Sequence, residues 1–231
     1  MKKIIILTTL AFGLIITQSC NSKPFKKIKA ENKEDSASYM IGISVGYTLK
    51  MQEIPGINAD LIVKGIREVL ENDSALSVQE ANMFLTMYFN ELREKQANEN
   101  LKKGNDFLAE NRNKPGVIET ESGLQYKVIT EGTGKTPTEN DRVKCHYRGK
   151  LLNGEQFDSS YDRGEPAQFA LRGVIRGWTE GLLLMKEGGK YELYVPSALA
   201  YGPRGQQTIG PNETLIFEIE LLEVIPVPQN E

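Results

Sequence analysis

Residues 143–160 read VKCHYRGKLLNGEQFDSS and carry the clearest secondary-structure pattern of the chain. Apolar side chains at Val143, Cys145 and Tyr147 alternate with polar ones, which is the period of a strand with one buried face. Asn153-Gly154 follows as a dipeptide that favours a tight hairpin turn. The stretch therefore predicts an antiparallel hairpin with a hydrophobic inner face.

The same alternation recurs in residues 191–195 and 215–221. Between the strands, Trp178, Leu182 and Met185 have the spacing of one helix face. The sequence therefore predicts an α+β protein, whose C-terminal antiparallel sheet wraps around one short helix.

A metal site is not expected. The chain holds one histidine and two cysteines, which is too few for a Cys/His zinc site. His146 lies on the polar side of its strand, so it is interpreted as structural or exposed. The net charge of −3 and the absence of a basic, aromatic patch exclude a nucleic-acid partner.

Residues 1–20 have the layout of a secretory signal peptide, because a positive start is followed by an apolar run over residues 4–16 that is too short for an ordinary transmembrane helix. Cys20 at the expected cleavage point resembles the lipidated cysteine of a bacterial lipobox, although Thr17 stands where that motif usually carries an aliphatic residue. The alternative is an ordinary secretory signal with an incidental Cys20. Residues 21–33 are polar and read as a flexible tether.

Residues 34–113 are predicted to be a helical N-terminal domain. One helix ends before Pro55-Gly56, a second follows Asn58, and Ser77 opens a long third helix with a capping box. Two short helices and one long one make a poor independent core, so we expect a homodimer through residues 34–111. The alternative is a monomeric helical hairpin with an exposed long helix.

Three groups of residues in the C-terminal half recur together in one known family. They are Tyr147-Arg148-Gly149 with residues 154–160 (GEQFDSS), residues 174–178 (VIRGW), and Ala200-Tyr201-Gly202 with residues 210–217 (GPNETLIF). In order, type and spacing they resemble the FKBP-type peptidyl-prolyl cis–trans isomerases, and the resemblance identifies residues 114–226 as the isomerase domain. The helical segment and Cys20 resemble the family's bacterial lipoprotein subgroup, typified by the macrophage infectivity potentiator, which implies a V-shaped homodimer.

The chemistry of this family needs few reactive groups. Rotation about an Xaa-Pro bond crosses a barrier of about 20 kcal/mol, and the twisted amide is less polar than the planar one. A water-poor apolar pocket therefore stabilises the transition state more than the substrate. No nucleophile, metal or organic cofactor is expected.

The resemblance also implies the roles of individual residues. Trp178 is expected to form the floor under the proline ring, and Asp158, Tyr201 and Tyr147 to assist catalysis. Asp158 would pair with Arg163 at the rim, while the Tyr201 hydroxyl and the Ile175 N–H would bind substrate carbonyls. The remaining apolar wall is expected to comprise Phe157, Val174, Ile175, Ile209 and Phe217. Taken alone, Val174 and Phe217 are also compatible with plain core positions, and Asp158 with a turn.

The sequence departs from the family at the edge of the pocket. Ala167 stands where many members have an aromatic wall residue, Gln206 where some eukaryotic members have histidine, and Gly210 where the residue is often aliphatic. Ile209 is expected to replace that aliphatic group. These departures affect substrate preference and macrolide affinity more than the fold.

The predicted function is a peptidyl-prolyl isomerase that assists folding of exported, proline-containing polypeptides. One alternative is a dimeric periplasmic holdase chaperone in which isomerisation is secondary. Another is an inactive scaffold, which the retained pocket residues disfavour. The predicted location is the envelope of a Gram-negative-type bacterium, anchored by lipid. Asn21 after Cys20 favours the outer membrane, since it is not the aspartate associated with inner-membrane retention.

Overall fold

The computed structural model describes residues 29–51 and 54–227. The chain divides into two compact units between Ala75 and Leu76. The expected lipidation at Cys20 and the signal peptide lie outside the described residues.

The first unit contains two helices, α1 (Lys33–Met51) and α2 (Ala59–Leu70). Asn58 begins α2, because its side chain accepts hydrogen bonds from two backbone N–H groups of the first turn. Neither helix has a buried residue. Their large apolar side chains are exposed, namely Tyr39, Met40, Ile41, Tyr47, Met51, Leu61, Val69 and Leu70. None of the helices in the described part of the chain is long and apolar enough to cross a membrane.

The second unit begins with the long helix α3 (Val78–Asn111). The predicted capping box is present, since Ser77 and Glu80 each accept a hydrogen bond from the other's backbone N–H. The buried residues of α3 are all in its last four turns: Asn100, Gly104, Leu108 and Asn111.

A seven-stranded antiparallel sheet follows, in the order β1-β2-β6-β7-β3-β4, with β5 paired to β3. The strands are β1 (Val117–Glu119), β2 (Gln125–Thr130), β3 (Arg142–Leu151), β4 (Gln156–Ser159), β5 (Ala167–Ala170), β6 (Lys190–Val195) and β7 (Leu215–Ile225). The predicted α+β architecture, helices first and an FKBP-like sheet second, is confirmed.

Helix α4 (Arg176–Leu183) lies on the inner face of the sheet. Gly177 and Gly181 permit its close approach, since a Cβ at either position would collide with the side chain of Val195 or Leu193. The side chains of Trp178 and Leu182, which follow these two glycines in the sequence, are buried in the core. The helix is thereby held against β6, and Trp178 at its start contacts Tyr147 of β3 and Phe217 of β7.

The inward alternation predicted for β3 is confirmed, because Val143, Cys145 and Tyr147 are all buried. Cys145 is a free thiol with no exposed surface, and burial raises its pKa to about 12. His146 is half-buried on the opposite face, where its ring stacks on Tyr161 and its Nδ1 lies 3.0 Å from Ser160 Oγ.

Candidate active site

A cavity of about 270 Å³ opens beside the start of α4 and the inner face of the sheet. It is slightly smaller than most sites for drug-sized ligands and suits one small ring with its adjoining backbone. Its wall is mainly aromatic and aliphatic. The lining comprises Tyr147, Phe157, Asp158, Phe169, Gly173, Val174, Ile175, Trp178, Tyr201, Gln206 and Phe217.

Trp178 is held by three aromatic rings. The rings of Tyr147, Phe169 and Phe217 each meet the indole nearly at right angles, with centroid distances of 5.0, 5.3 and 5.2 Å. Such edge-to-face pairs each contribute about 0.5–1.5 kcal/mol beyond the burial of their area. The Trp178 side chain is therefore fixed in one orientation before any ligand arrives.

Gly149 explains how two of the wall aromatics fit together. Phe157 and Phe217 meet edge to face at 5.6 Å. A Cβ on Gly149 would lie 2.6 Å from Phe157 and 2.8 Å from Phe217, so a side chain at this position would push the rings apart. The pairing of Gly149 with Asp158 and with Phe217 brings β4 and β7 to this point of β3.

Three polar side chains form a closed network at the rim. The Tyr147 hydroxyl donates to Asp158 Oδ2 at 2.5 Å, and Arg163 donates to Asp158 Oδ1 at 2.5 Å and to the Tyr147 hydroxyl at 2.8 Å. Burial alone would raise the pKa of Asp158, but the hydrogen bonds from Tyr147 and Arg163 together bring it below its ordinary value. Burial, then the hydrogen bond to Asp158, raises the pKa of Tyr147 to about 12. At neutral pH the rim therefore carries a fixed carboxylate.

Several hydrogen-bond donors at the cavity have no protein partner. Within the described residues, neither the Tyr201 hydroxyl nor the Ile175 N–H makes a hydrogen bond, and the buried Trp178 Nε1 makes none either. Burial, then the charge of Asp158, raises the pKa of Tyr201, so its hydroxyl stays protonated. Ile175 precedes α4 with an extended backbone, and its carbonyl, not its N–H, joins the first turn. The Tyr201 hydroxyl and the Ile175 N–H are both chemically able to bind carbonyl oxygens of a ligand.

Comparison with known proteins agrees with this geometry. Residues 133–222 match the family model described as FKBP-type peptidyl-prolyl cis-trans isomerase, and residues 34–128 match that of the domain amino terminal to it. A relative from Aeromonas hydrophila, named FKBP-type peptidyl-prolyl cis-trans isomerase FkpA, is 45% identical over 218 residues, which is 88% of this chain and 81% of that protein. The chain belongs to the FKBP-type peptidyl-prolyl cis–trans isomerase family.

Further relatives of this FKBP-type isomerase share both regions of the chain. The outer membrane protein MIP of Legionella longbeachae is 42% identical over 200 residues, covering 83% of this chain and 85% of that protein. The crystal structure of FkpA from Escherichia coli superposes with a TM-score of 0.69 at 38% identity, covering 87% of this chain and 100% of that one. The resemblance stated from the sequence is confirmed.

The FKBP-type isomerase rotates Xaa-Pro bonds, and its cavity suits that reaction. Isomerisation requires no proton transfer and no covalent intermediate, only selective stabilisation of the twisted amide. Aromatic rings that are already held in place reorganise little when a substrate binds.

Most of the residues predicted for the site of this isomerase meet at the cavity. Tyr147, Phe157, Asp158, Val174, Ile175, Trp178, Tyr201 and Phe217 all line it. Arg163 does not line it but holds Asp158 from outside, as expected of their pairing. The catalytic and binding roles of these residues remain predictions.

Ile209 is placed elsewhere. It is buried in the core and is not a lining residue, because Gln206 and Ile209 exchange both backbone hydrogen bonds across a tight turn. That turn brings Gln206, and not Ile209, to the cavity wall.

Sequence reasoning missed Phe169 and Gly173 as wall residues. Ala167 is half-buried on the same strand and pairs with Cys145, but it is not part of the lining. Phe169 pairs with Val143, two positions further along, and supplies the aromatic ring on that side of Trp178. The alternation of side chains along β5 could have predicted Phe169 as a wall residue, since Phe169 lies on the same face of the strand as Ala167.

Proposed function

We propose that the cavity binds prolines in unfolded segments of exported polypeptides and lowers the barrier to rotation of the preceding amide. The proline ring lies on Trp178, the Tyr201 hydroxyl and the Ile175 N–H bind flanking carbonyls, and Asp158 acts at the rim. The observation that carries the proposal is an aromatic cavity that also presents the Asp158 carboxylate and two donors without a partner among the described residues, the Tyr201 hydroxyl and the Ile175 N–H.

The test removes one polar group of the cavity at a time. Asp158→Asn keeps the shape of the side chain but removes its charge, and Tyr201→Phe removes one donor. We expect kcat/KM for short Xaa-Pro peptides to fall about tenfold in Asp158→Asn and about threefold in Tyr201→Phe. Each fall is of the size expected when one hydrogen bond in the transition state is lost or weakened. A protease-coupled peptide assay measures both.

The matched control is Asp162→Asn. Asp162 is exposed, lies outside the cavity and accepts a hydrogen bond from Gln156 Nε2 at 2.6 Å. Its replacement is expected to leave kcat/KM unchanged. Equal losses in both aspartate variants would remove Asp158 from the catalytic assignment, and a wild-type chain without activity would overturn the enzyme assignment itself.

A second function, holding unfolded chains, is proposed for the N-terminal region as a homodimer. In the described part of the first unit, large apolar side chains of α1 and α2 are exposed. Patches of this kind are normally covered by a partner in a soluble protein. We expect a second copy of the chain to cover part of them, through residues 34–111, and unfolded clients to contact the rest.

We further propose that the protein is a lipoprotein of the cell envelope, anchored through Cys20. The support is the signal-like stretch before Cys20 and the similarity to a protein named for the outer membrane. Asn21 is consistent with outer-membrane sorting. A multiply acylated cysteine would anchor the chain stably, because each buried methylene contributes about 0.8 kcal/mol.

A further inference from the structure

The loop after Tyr201 forms one wall of the cavity through Gln206. Its tip is a tight turn in which Gln206 and Ile209 exchange hydrogen bonds of 2.8 and 2.7 Å. Its base is closed by the N–H of Asn212, which donates to the Gly202 carbonyl at 2.8 Å. Because tip and base are both closed, the position of the base at residues 211–212 determines where Gln206 lies.

Helix α3 holds that base by two reciprocal bonds. Asn100 Nδ2 donates to the Pro211 carbonyl at 2.9 Å, and Asn212 Nδ2 donates to the Ala97 carbonyl at 3.3 Å. Asn100 is 9% exposed, so its bond is shielded from competing water. Residues more than 100 positions apart in the sequence are thereby joined at the foot of the cavity loop.

Gly210 lies beside the same helix. A Cβ at Gly210 would lie 3.4 Å from Asn100 Nδ2 and from Glu213 Oε1, and 3.5 Å from Gln96 Nε2. These are ordinary van der Waals distances, so the loop and α3 are in packing contact at this position without excluding a small side chain.

The rest of the helix end is fixed to the sheet. Asn111 Nδ2 donates to Gln125 Oε1 at 3.0 Å, Gln125 Nε2 donates to the Leu108 carbonyl at 2.8 Å, and both side chains are buried. Phe107 meets the ring of Tyr194 at 5.9 Å. The C-terminal end of α3 is therefore held in a fixed position on the sheet. The hydrogen bonds of Asn100 and Asn212 join this helix to the loop that forms the cavity wall.

We propose that Asn100 is a positioning residue for the isomerase reaction: through Pro211 it holds the loop that places Gln206 in the cavity wall, and so sets the affinity for proline peptides. The proposal rests on the proposed binding of such peptides in the cavity. Asn100 touches neither the rim network nor Trp178, so its loss should weaken binding more than turnover.

The test measures KM and kcat separately in the full chain. In Asn100→Leu, which removes the donor at similar size, KM for a short Xaa-Pro peptide is expected to rise about threefold to tenfold, with kcat within about twofold. Asn212→Gly removes the reciprocal bond from the loop side while tolerating the positive φ of 54° at this position, and it is expected to raise KM in the same way. If Asn100→Leu does not fold, this second variant tests whether the bonds between α3 and the loop set KM.

Two controls separate positioning from general stability. Asn111→Leu removes a buried asparagine of the same helix whose bond is to Gln125, so it is expected to lower the melting temperature without raising KM. In a Gln206→Ala background, Asn100→Leu is expected to have little further effect on KM, because its action passes through that side chain. Trp178 is the only tryptophan, and its fluorescence provides an independent measure of peptide binding.

An unchanged KM in folded Asn100→Leu or Asn212→Gly would overturn the proposal, as would an equal rise in Asn111→Leu or full additivity with Gln206→Ala. A wild-type chain that does not bind or turn over proline peptides would instead refute the proposed function on which it rests.

Discussion

Asp158 keeps its negative charge at the rim although it is partly withdrawn from water. Hydrogen bonds from Tyr147 and Arg163 outweigh burial and lower its pKa. An acid whose pKa is lower in the folded state stabilises the fold above its unfolded pKa, and this contribution is lost as the pH falls through the folded pKa. The rim is therefore expected to stay intact until the pH falls below the ordinary range of aspartate.

The rate should accordingly be insensitive to pH over a wide range. We expect kcat/KM for a peptide without titratable groups to be constant from about pH 5 to pH 9, and to fall only below about pH 4. The physical reason is that Asp158 stays charged and that the pKa of Tyr147 is raised to about 12. Peptide assays in buffers of constant ionic strength test this. A bell-shaped profile would mean general acid–base catalysis and would contradict desolvation as the main effect.

Individual site residues were predictable where a motif fixes their spacing. Phe157 and Asp158 follow a hairpin, and Trp178 begins a helix, so their places depend on local structure. Ile209 and Gln206 were not predictable in this way, since a two-residue turn decides which of them faces the cavity.

At the scale of elements, helix α3 shows which contacts hydrophobic periodicity alone does not predict. Its start at a capping box follows from local sequence, and the prediction was right. The polar stretch before Leu101 gives no sign that Asn100 is buried, because its partner is the backbone of Pro211 far along the chain. Polar contacts between distant segments have no signature in hydrophobic periodicity.

The helices before α3 should be separable from catalysis. A chain beginning at Arg93 loses α1, α2 and the exposed apolar side chains at Met83, Phe84 and Met87, but keeps Asn100 and the sheet. We expect it to be monomeric, to retain kcat/KM for short peptides within about twofold, and to lose suppression of aggregation of an unfolded, proline-free client.

Light scattering of the client and the molar mass in solution give the two measurements. Circular dichroism of the shortened chain serves as the folding control. Undiminished suppression by a monomeric chain would place the holding activity in the isomerase domain instead.

At the scale of the whole molecule, the strand and helix patterns were sufficient to predict one helical region followed by one sheet region, in the correct order. The same patterns do not say that the chain divides at Ala75, with α3 in the compact unit of the sheet. That division depends on which helix buries side chains against the strands. Leu108 and Asn111 do so, and no residue of α1 or α2 is buried.

The proposed membrane attachment belongs to the scale of the whole chain. In a Gram-negative host, the wild-type precursor is expected to fractionate with membranes and to show a mass increased by acyl chains, whereas Cys20→Ser releases the protein or leaves the signal uncleaved. Asn21→Ser, which keeps the cysteine, is the control and should remain attached. Membrane release of the control together with Cys20→Ser, or an acyl mass increase that persists in Cys20→Ser, would count against acylation at Cys20.

Cys145 has a consequence for the redox conditions under which the folded protein can act. Its thiol is buried in the sheet and its pKa is raised to about 12, so almost no thiolate forms at neutral pH. Disulfide exchange starts from a thiolate, and oxidants therefore have little to attack. Once folded, the catalytic domain is therefore expected to keep its fold under oxidising or reducing conditions alike. An exported folding catalyst of this kind would work before, during or after the sulfur chemistry of its clients without being drawn into mixed disulfides.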